Sequence, residues 1–386
     1  MKLNLKKNIT LLFIIINFYA NSQIKIIKDF ESYNVGSITY DSAKNTITFE
    51  PYCNTINTEK VWFYFGITGY RTDTILTLKG KYTNNYYAPN NPVYSYNNID
   101  FFNIRANSIN MINKYSLFPQ KDTLYTATGF PYGYQKLINY LNSKKNDKHL
   151  TIDNSIISDS GRIVPILTIT DKKLNKKNKK LIWIIGRQHA FESIANYVVE
   201  GMTEYLLSNE CKKSKMLKKF VFKIIPMVDV DNVADGQSGR MSLPKDYNRD
   251  WATEKRNIIH QTKIKIAESA KKFKYSYFFD IHSVFPGGKT NNIFSYYDIY
   301  CRQPQTENMK KYWLKFNKIA GYTPKPINDA HDMPGGTSAD WYNAMIYNNL
   351  NFSTTIECDW NFNSQGKVWQ IEDYLLLGKN MIKAIE

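Results

Sequence analysis

The sequence predicts an α/β fold, a mixed twisted sheet with helices on both faces, preceded by an all-β sandwich domain. Two patterns carry this prediction. From residue 24 to about residue 128, short alternating runs are separated by turn residues at intervals of roughly ten, as in small β-sandwiches. Beyond residue 150, near-continuous apolar runs alternate with helical runs, which is typical of strands that are covered on both faces of a sheet.

The first 23 residues have the pattern of a secretory signal peptide. Three lysines precede an apolar stretch over residues 9–18, and small or polar residues follow it up to a cleavage site near residues 22–23. The stretch is short for a membrane span, so an uncleaved anchor is the less favoured alternative. No later segment has the apolar run of about eighteen residues that a membrane helix needs. We therefore expect an exported protein, periplasmic or secreted, with no transmembrane segment in the mature chain.

The chain is basic, with 51 Lys and Arg against 34 Asp and Glu and a formal net charge of +17. Much of the excess lies in lysine runs between apolar segments, such as DKKLNKKNKK and CKKSKMLKK, which we interpret as solvated loops. A generally basic surface is favoured over nucleic-acid binding, so no nucleic-acid partner is predicted. Association with an acidic cell envelope or with acidic peptides stays open. The sequence leaves the oligomeric state and any pairing of the four cysteines open.

The predicted sandwich domain spans residues 24–128. Its strand candidates are rich in Tyr, Phe and Thr, and they include SITYD, NTITFE, VWFYFGITG and TILTLKG. A turn and a helical run, FPYGYQKLINYLNS, then begin a connector that we place at residues 129–160.

The second predicted domain spans residues 161–386. Its strand candidates are IVPILTI, LIWIIG, FVFKIIPM, YSYFFDIH, NIFSYY and FSTTIEC. Helical runs are predicted between them, at residues 193–208, 254–273, 307–320 and 368–385. Strands that alternate with helices predict a largely parallel sheet at the centre of this domain.

Polar side chains follow the predicted strands where each strand ends. His189 and Glu192 come after LIWIIG, His282 ends YSYFFDIH, and Glu357 lies near the end of FSTTIEC. The long loop after FVFKIIPM adds Arg240, Asp246, Asn248 and Arg249. Ligands of open α/β sheets bind beyond the carboxyl ends of the strands, so these residues are expected to meet at one edge.

This set of side chains suits metal-assisted hydrolysis. Two histidines and one carboxylate, with a fourth position left open, are the donors of a catalytic zinc site. Zinc acidifies a bound water and polarises a carbonyl, and a second carboxylate near the metal can carry the proton. Arginines can stabilise an oxyanion or hold a substrate carboxylate.

The motifs HAFE, GR…DYNRDW, DIHS and TIEC, in this order, resemble those of the zinc carboxypeptidases of the M14 (funnelin) family. The similarity runs from about residue 181 to residue 360. The N-terminal half, with WFYFGITG and FPYGYQKLINYL, resembles the β-sandwich and connector of the cytosolic carboxypeptidase branch. The resemblance therefore covers most of the mature chain and implies a zinc carboxypeptidase-like catalytic domain.

The resemblance assigns roles to residues of this chain. It implies one Zn²⁺ per chain, bound by His189, Glu192 and His282. Glu357 would be the general base and acid, and Arg240 would polarise the scissile carbonyl. Three further residues have implied roles: Asn248 and Arg249 would grip the terminal carboxylate of the substrate, and Asp246 would orient the first zinc histidine.

Two positions depart from the family pattern. Many members carry a tyrosine on the loop before the catalytic strand, and counting along this chain reaches His331 or Asp332 instead. His331 would then be a substitute donor, or the loop differs; both alternatives stay open. The position that often sets side-chain preference falls near Ala339, which offers no charge to an acidic or basic terminal residue.

The sequence thus predicts an exported zinc metallocarboxypeptidase that hydrolyses C-terminal peptide bonds. Its expected substrate is a peptide or peptide-like molecule with a free C-terminal carboxylate. One alternative keeps the metal site and makes the protein a zinc amidase on peptidoglycan stem peptides or small N-acyl compounds. The other is a non-catalytic protein in which the aromatic-rich sandwich binds glycan or peptide.

Overall fold

The computed structural model describes residues 23–54, 59–104, 113–173, 179–288, 294–297, 303–322, 324–327, 336–345, 350–363 and 365–385. The predicted signal peptide, 1–23, lies outside these residues except for its last position. No helix within the described ranges is long and apolar enough to cross a membrane.

The N-terminal part is a β-sandwich of two sheets. One sheet has the order β1-β4-β9-β6-β7 and the other β2-β3-β5-β8. Their strands are β1 (Lys25–Ile27), β2 (Ser37–Asp41), β3 (Thr46–Glu50), β4 (Tyr64–Thr68), β5 (Leu76–Gly80), β6 (Val93–Ser95), β7 (Phe102–Asn103), β8 (Lys114–Leu117) and β9 (Thr123–Ala127). The alternation seen in the sequence is the cause: Ile47 and Phe49 of β3 point inward with Leu76 and Leu78 of β5, and they pack on residues of the other sheet such as Phe65.

The larger part contains one mixed sheet of eight described strands, in the order β10-β11-β13-β12-β14-β17-β15-β16. The strands are β10 (Leu150–Ile157), β11 (Ile163–Ile169), β12 (Lys180–Gly186), β13 (Phe220–Ile225), β14 (Ser276–Ser283), β15 (Phe294–Tyr297), β16 (Lys325–Ile327) and β17 (Leu350–Cys358). Its centre, β13-β12-β14-β17, is parallel. Strand β10 pairs antiparallel with β11, β11 with β13, and β15 with β17, whereas β15 pairs parallel with β16. The range predicted as a connector, 129–160, therefore includes the first strand of this sheet.

Nine α-helices accompany the sheet in the described ranges: α1 (Tyr134–Lys144), α2 (Ser193–Leu207), α3 (Asn209–Ser214), α4 (Met216–Lys219), α5 (Val230–Ala234), α6 (Asn257–Ala270), α7 (Gln303–Ala320), α8 (Ser338–Met345) and α9 (Ile371–Lys383). The lysine run CKKSKMLKK, which we expected to be a loop, forms α3 and α4. Cys211, Met216 and Leu217 are buried there, while the lysines between them reach outward.

Helices cover both faces of the sheet. Trp183 of β12 donates its indole N–H to Ser269 of α6, whereas Gly186, three residues later and therefore on the opposite face, lies against Val199 of α2. Phe278 of β14 is paired in register with Trp183 and stacks on Tyr342 of α8. Thus α6 and α8 cover one face and α2 covers the other, which confirms the predicted fold class.

One hydrophobic core joins the two parts. Val61, Trp62 and Val93 of the sandwich belong to the same cluster of buried residues as the central strands of the large sheet. Two side-chain hydrogen bonds cross the same boundary: the Ser32 hydroxyl donates to the carbonyl of Val233, and the Asn34 amide donates to the carbonyl of Gly236. The sandwich is consequently packed directly on the part that carries the candidate site.

Candidate metal centre

The segment that carries His189 and Glu192 begins with a tight, anchored turn. Strand β12 ends at Gly186, and Arg187 then adopts the left-handed conformation with φ of 57°, which costs a non-glycine residue free energy. The buried Arg187 guanidinium stabilises the turn by donating to the carbonyl of Ala190 and, over 2.7 Å, to Asn196 of α2. His189 and Glu192 are thereby fixed just before α2 begins.

His282 and Glu357 lie side by side on adjacent parallel strands. His282 of β14 is paired in register with Glu357 of β17, so the two side chains emerge on the same face of the sheet. Both residues lie at the carboxyl ends of their strands, as Gly186 does at the end of β12. The predicted convergence at one edge of the sheet is therefore observed.

His189, Glu192 and His282 converge on one point. A ligand atom from each lies within 4.8 Å of the others, and all three residues are buried. Nδ1 of His189 lies 2.8 Å from Oε1 of Glu192, and Nδ1 of His282 lies 2.8 Å from Oε2 of the same carboxylate. Two imidazole nitrogens and one carboxylate, all facing one another, fit the donor set of a single zinc ion.

The outer nitrogen of each histidine is held by a second carboxylate. Nε2 of His189 lies 3.1 Å from Oδ1 of Asp246, the orienting role that the resemblance implied for this residue. Nε2 of His282 lies 3.0 Å from Oδ2 of Asp280, two residues earlier on the same face of β14. Such partners fix the tautomer and the ring orientation of metal-binding histidines.

Electrostatics at the cluster favour a bound cation. Burial opposes the charged form of His189, but the carboxylates of Asp246 and Glu192 outweigh it and raise its pKa to about 9. Burial likewise opposes the charged forms of Glu192 and His282, yet their mutual attraction lowers the pKa of Glu192 to about 2 and, with Asp280, raises that of His282. The same carboxylates favour a metal ion, which would bind the histidines in their deprotonated form.

Glu357 stands beside this cluster, and it is partly exposed as a residue although its carboxyl group faces the interior. Burial of its carboxyl, opposed by His282 and reinforced by Glu192, raises the pKa of Glu357 to about 7. A carboxyl with a pKa near neutrality can both accept and return a proton, as a general base and acid requires.

The loop between β13 and α6 brings three further predicted residues to the site. Arg240 is half-buried, and its guanidinium carbon lies 4.8 Å above the centre of the Phe285 ring. Asn248 is buried; its side-chain amide lies 3.1 Å from Nε2 of His282, and its Oδ1 accepts from the backbone of Ser338. The Arg249 guanidinium donates only to the carbonyl of Asn248 within the described part of the chain, so it is available to an anion.

Two other predicted residues remain predictions. Ala339 is buried in α8, beside Ser338, which contacts both Asn248 and Asp280. His331 lies outside the described residues. The roles of Arg240, Asn248, Arg249 and Glu357 in binding or catalysis are likewise inferred from resemblance and position.

Sequence reasoning missed Asp280 and Glu59. Asp280 was recognisable, because the alternation of a strand places residues two apart on one face and FDIHS carries Asp and His with that spacing. Glu59 of the sandwich pairs with Arg240, 181 residues further along the chain, and no local pattern indicates such a contact.

Comparison with known proteins agrees with this geometry. Residues 136–264 match the family described as zinc carboxypeptidase (Peptidase_M14). Cytosolic carboxypeptidase 1 of Mus musculus is 30% identical over 148 residues, covering 35% of this chain and 12% of the relative. Human cytosolic carboxypeptidase 2 is 29% identical over 208 residues, covering 51% of this chain and 22% of the relative. The chain thus matches less than a quarter of the length of these two curated relatives.

Solved structures share the fold over nearly the whole chain. A metallo-carboxypeptidase from Burkholderia cenocepacia superposes with a TM-score of 0.81 at 19% identity, covering 94% of this chain and 97% of that one. A metallo-carboxypeptidase from Pseudomonas aeruginosa, solved with (2-guanidinoethylmercapto)succinic acid, has a TM-score of 0.76 at 17% identity, covering 94% and 98%. With the buried His189, Glu192 and His282 cluster, these similarities lead to one conclusion: the chain is similar to the M14 zinc carboxypeptidases in sequence over residues 136–264, and it has the fold of bacterial metallo-carboxypeptidases.

Proposed function

We propose that this protein is a zinc-dependent metallocarboxypeptidase that removes residues from the C-terminus of a peptide. The observation that carries the proposal is the buried His189, Glu192 and His282 cluster with Glu357 directly beside it at the ends of β12, β14 and β17. A zinc ion bound there would acidify a water molecule and polarise the scissile carbonyl.

The protein side chains supply the remaining steps. Glu357 accepts a proton from the water as the water oxygen bonds to the carbonyl carbon, and it then returns that proton to the nitrogen of the departing residue as the peptide C–N bond breaks. The Nη groups of Arg240 donate to the oxyanion that develops on the carbonyl. Arg249 pairs with the free carboxylate of the substrate and thereby limits cleavage to the chain end.

We also propose that the protein acts after export, which rests on the signal-peptide pattern of residues 1–23. An exported enzyme would meet extracellular or envelope peptides, unlike the relatives whose names describe them as cytosolic. A peptidoglycan stem peptide with a free carboxylate falls within this substrate class.

The requirement for a free carboxylate tests this proposal. The zinc-loaded protein is incubated with a mixture of peptides as free acids and with the same peptides as C-terminal amides, and the products are identified by mass. We expect the free-acid peptides to lose single C-terminal residues and the amides to be cleaved little or not at all. In Arg249→Ala, the cleavage rates of acids and amides should differ less than in wild type. Equal cleavage of acids and amides, or cleavage at internal bonds, would contradict an exopeptidase.

A further inference from the structure

We propose that Glu59, contributed by the N-terminal sandwich, is a positioning residue that aims Arg240 at the substrate carbonyl. This inference rests on the carboxypeptidase activity proposed above. It gives the sandwich a part in the reaction through one defined contact with the catalytic loop.

Two contacts fix the Arg240 side chain. Its Nε lies 3.2 Å from Oε1 and 3.1 Å from Oε2 of Glu59, so the carboxylate sits against the Nε edge of the guanidinium. The guanidinium carbon lies over the face of the Phe285 ring, 4.8 Å from the ring centre. An edge contact and a face contact together leave the guanidinium little rotational freedom.

Phe285 ties this arrangement to the metal motif. Its ring stacks on Phe191 at 5.7 Å with the planes 8° apart, and Phe191 lies between His189 and Glu192 in the sequence. Tyr87 of the sandwich also packs on Phe285, with the two ring centres 5.2 Å apart. The sandwich thus touches both the ring and the charged edge that hold Arg240.

The two terminal nitrogens of Arg240, Nη1 and Nη2, are the end of the side chain that would meet the substrate. Within the described part of the chain, its Nη1 and Nη2 groups donate no hydrogen bond, while Nε is held by Glu59. Those terminal groups are the donors that an oxyanion needs. Because Glu59 holds the guanidinium by Nε, the N–H groups of the two remaining nitrogens stay available to the substrate.

The pair is not required to join the sandwich to the rest of the chain. Ser32, Asn34 and the backbone of Tyr86 already bond across the boundary, to Val233, Gly236 and Gly287. The side chain of Glu59 is 14% exposed and that of Arg240 31% exposed, so the contact lies at the edge of the site and not deep in the shared core. Loss of the contact should consequently alter the reaction more than the fold.

Steady-state kinetics on a free-acid peptide test the inference. Glu59→Ala should lower kcat roughly tenfold to a hundredfold with KM changed less than about threefold, because a misaimed arginine weakens the transition state more than the bound substrate. Glu59→Gln keeps an acceptor for Nε and should recover most of the loss. The kcat of Arg240→Ala should be lower than that of either Glu59 variant. The kcat of the double variant Glu59→Ala/Arg240→Ala should be no lower than that of Arg240→Ala alone.

Glu50→Ala is the matched control. Glu50 belongs to the same sandwich and pairs with Lys60, the residue that follows Glu59 in the sequence. The ion pair of Glu50 is therefore with Lys60 and not with Arg240. We expect its kinetics to stay within about twofold of wild type. An unchanged or raised kcat in Glu59→Ala, or losses that multiply in the double variant, would overturn the positioning role.

A measurement that needs no activity separates this inference from the proposed function. In ¹⁵N-labelled protein, the Nε–H proton of Arg240, assigned from Arg240→Ala, should exchange slowly with solvent in wild type and Glu50→Ala and rapidly in Glu59→Ala. Equal exchange in all of them would refute the contact. If wild type trims no peptide while this proton is protected, the proposed function and the positioning role fail and only the ion pair stands.

Discussion

At the scale of single residues, the candidate site is built as much by the groups behind the ligands as by the ligands. Asp246 and Asp280 hold the outer nitrogens of the two histidines, and Arg187 stabilises the turn that leads to His189. These three groups are buried, so each is effective only because its partners satisfy it.

Replacing Asp280 with Asn should weaken zinc binding. Oδ2 of Asp280 accepts hydrogen bonds from Gln188 and Ser338 and faces Nε2 of His282. An amide nitrogen in its place is a hydrogen-bond donor and could not accept from these groups. We expect a loss of zinc affinity of roughly tenfold to a hundredfold, the usual effect of removing such a partner. Competition with a chromogenic chelator measures it. Asp122→Asn, an exposed change in the sandwich, serves as the control, and unaltered affinity in Asp280→Asn would refute the role.

Asp229 should make stability depend on pH. Burial, opposed by hydrogen bonds from Asn232 and by the charge of Arg256, raises the pKa of Asp229 to about 7 from its usual 3.8. The folded state therefore retains a proton that the unfolded state releases, and this contribution is lost as pH rises from about 4 to about 7. Over that window, the free energy of unfolding of wild type should fall relative to Asp229→Asn by about 4 kcal/mol at most.

Urea denaturation of both proteins at pH 4.5, 6 and 8 measures this difference. Both proteins contain the same other titratable groups, so the difference between their free energies of unfolding reports on Asp229. A difference that stays constant with pH, or that changes in favour of wild type as pH rises, would show that Asp229 is ionised in the folded protein throughout.

At the scale of helices and strands, much of the fold was predictable from periodicity. The run IVPILTI is β11 as the structure has it, and the predicted helix at 193–208 is α2 to within one residue. The short helices α3 and α4 were missed because they are four to six residues long and their lysines hide the few buried apolar positions. The contact between Glu59 and Arg240 was unpredictable, since it depends on how the sandwich packs on the sheet.

Helices α2 and α9 cross at two glycines that admit no side chain. A Cβ added to Gly378 would lie 2.0 Å from the carbonyl oxygen of Val198, and one added to Gly201 would lie 2.1 Å from that of Leu375. Because these neighbours are backbone atoms, the helices would have to separate. The helix propensity of Ala is higher than that of Gly, but the clash should dominate.

Gly378→Ala should therefore lower the free energy of unfolding by about 1–3 kcal/mol, measured by urea denaturation. Leu376→Ala on the same helix is the control, because Leu376 is exposed and should change stability by less than about 0.5 kcal/mol. A Gly378→Ala variant as stable as wild type would mean that the two helices are not in backbone contact.

At the scale of the whole molecule, the shared core predicts that the sandwich and the sheet unfold together. Trp62 of the sandwich is 3% exposed and belongs to the cluster that includes the central strands of the sheet. Trp62→Ala should cost about 3–5 kcal/mol and lower the Tm of a single calorimetric transition. Tyr52→Ala, at a half-exposed sandwich residue, should leave it unchanged within error. Two separate transitions, of which only one moves in Trp62→Ala, would contradict the shared core.

The central claim is that His189, Glu192 and His282 bind one zinc ion and that Glu357 transfers the proton in peptide hydrolysis. The most direct test measures zinc content and C-terminal trimming together, in wild type and in Glu357→Gln. We predict one zinc per chain in both proteins, with trimming in wild type and a rate lower by at least about a thousandfold in Glu357→Gln. Trimming by Glu357→Gln at the wild-type rate, or a folded wild type that refuses added zinc, would contradict the account.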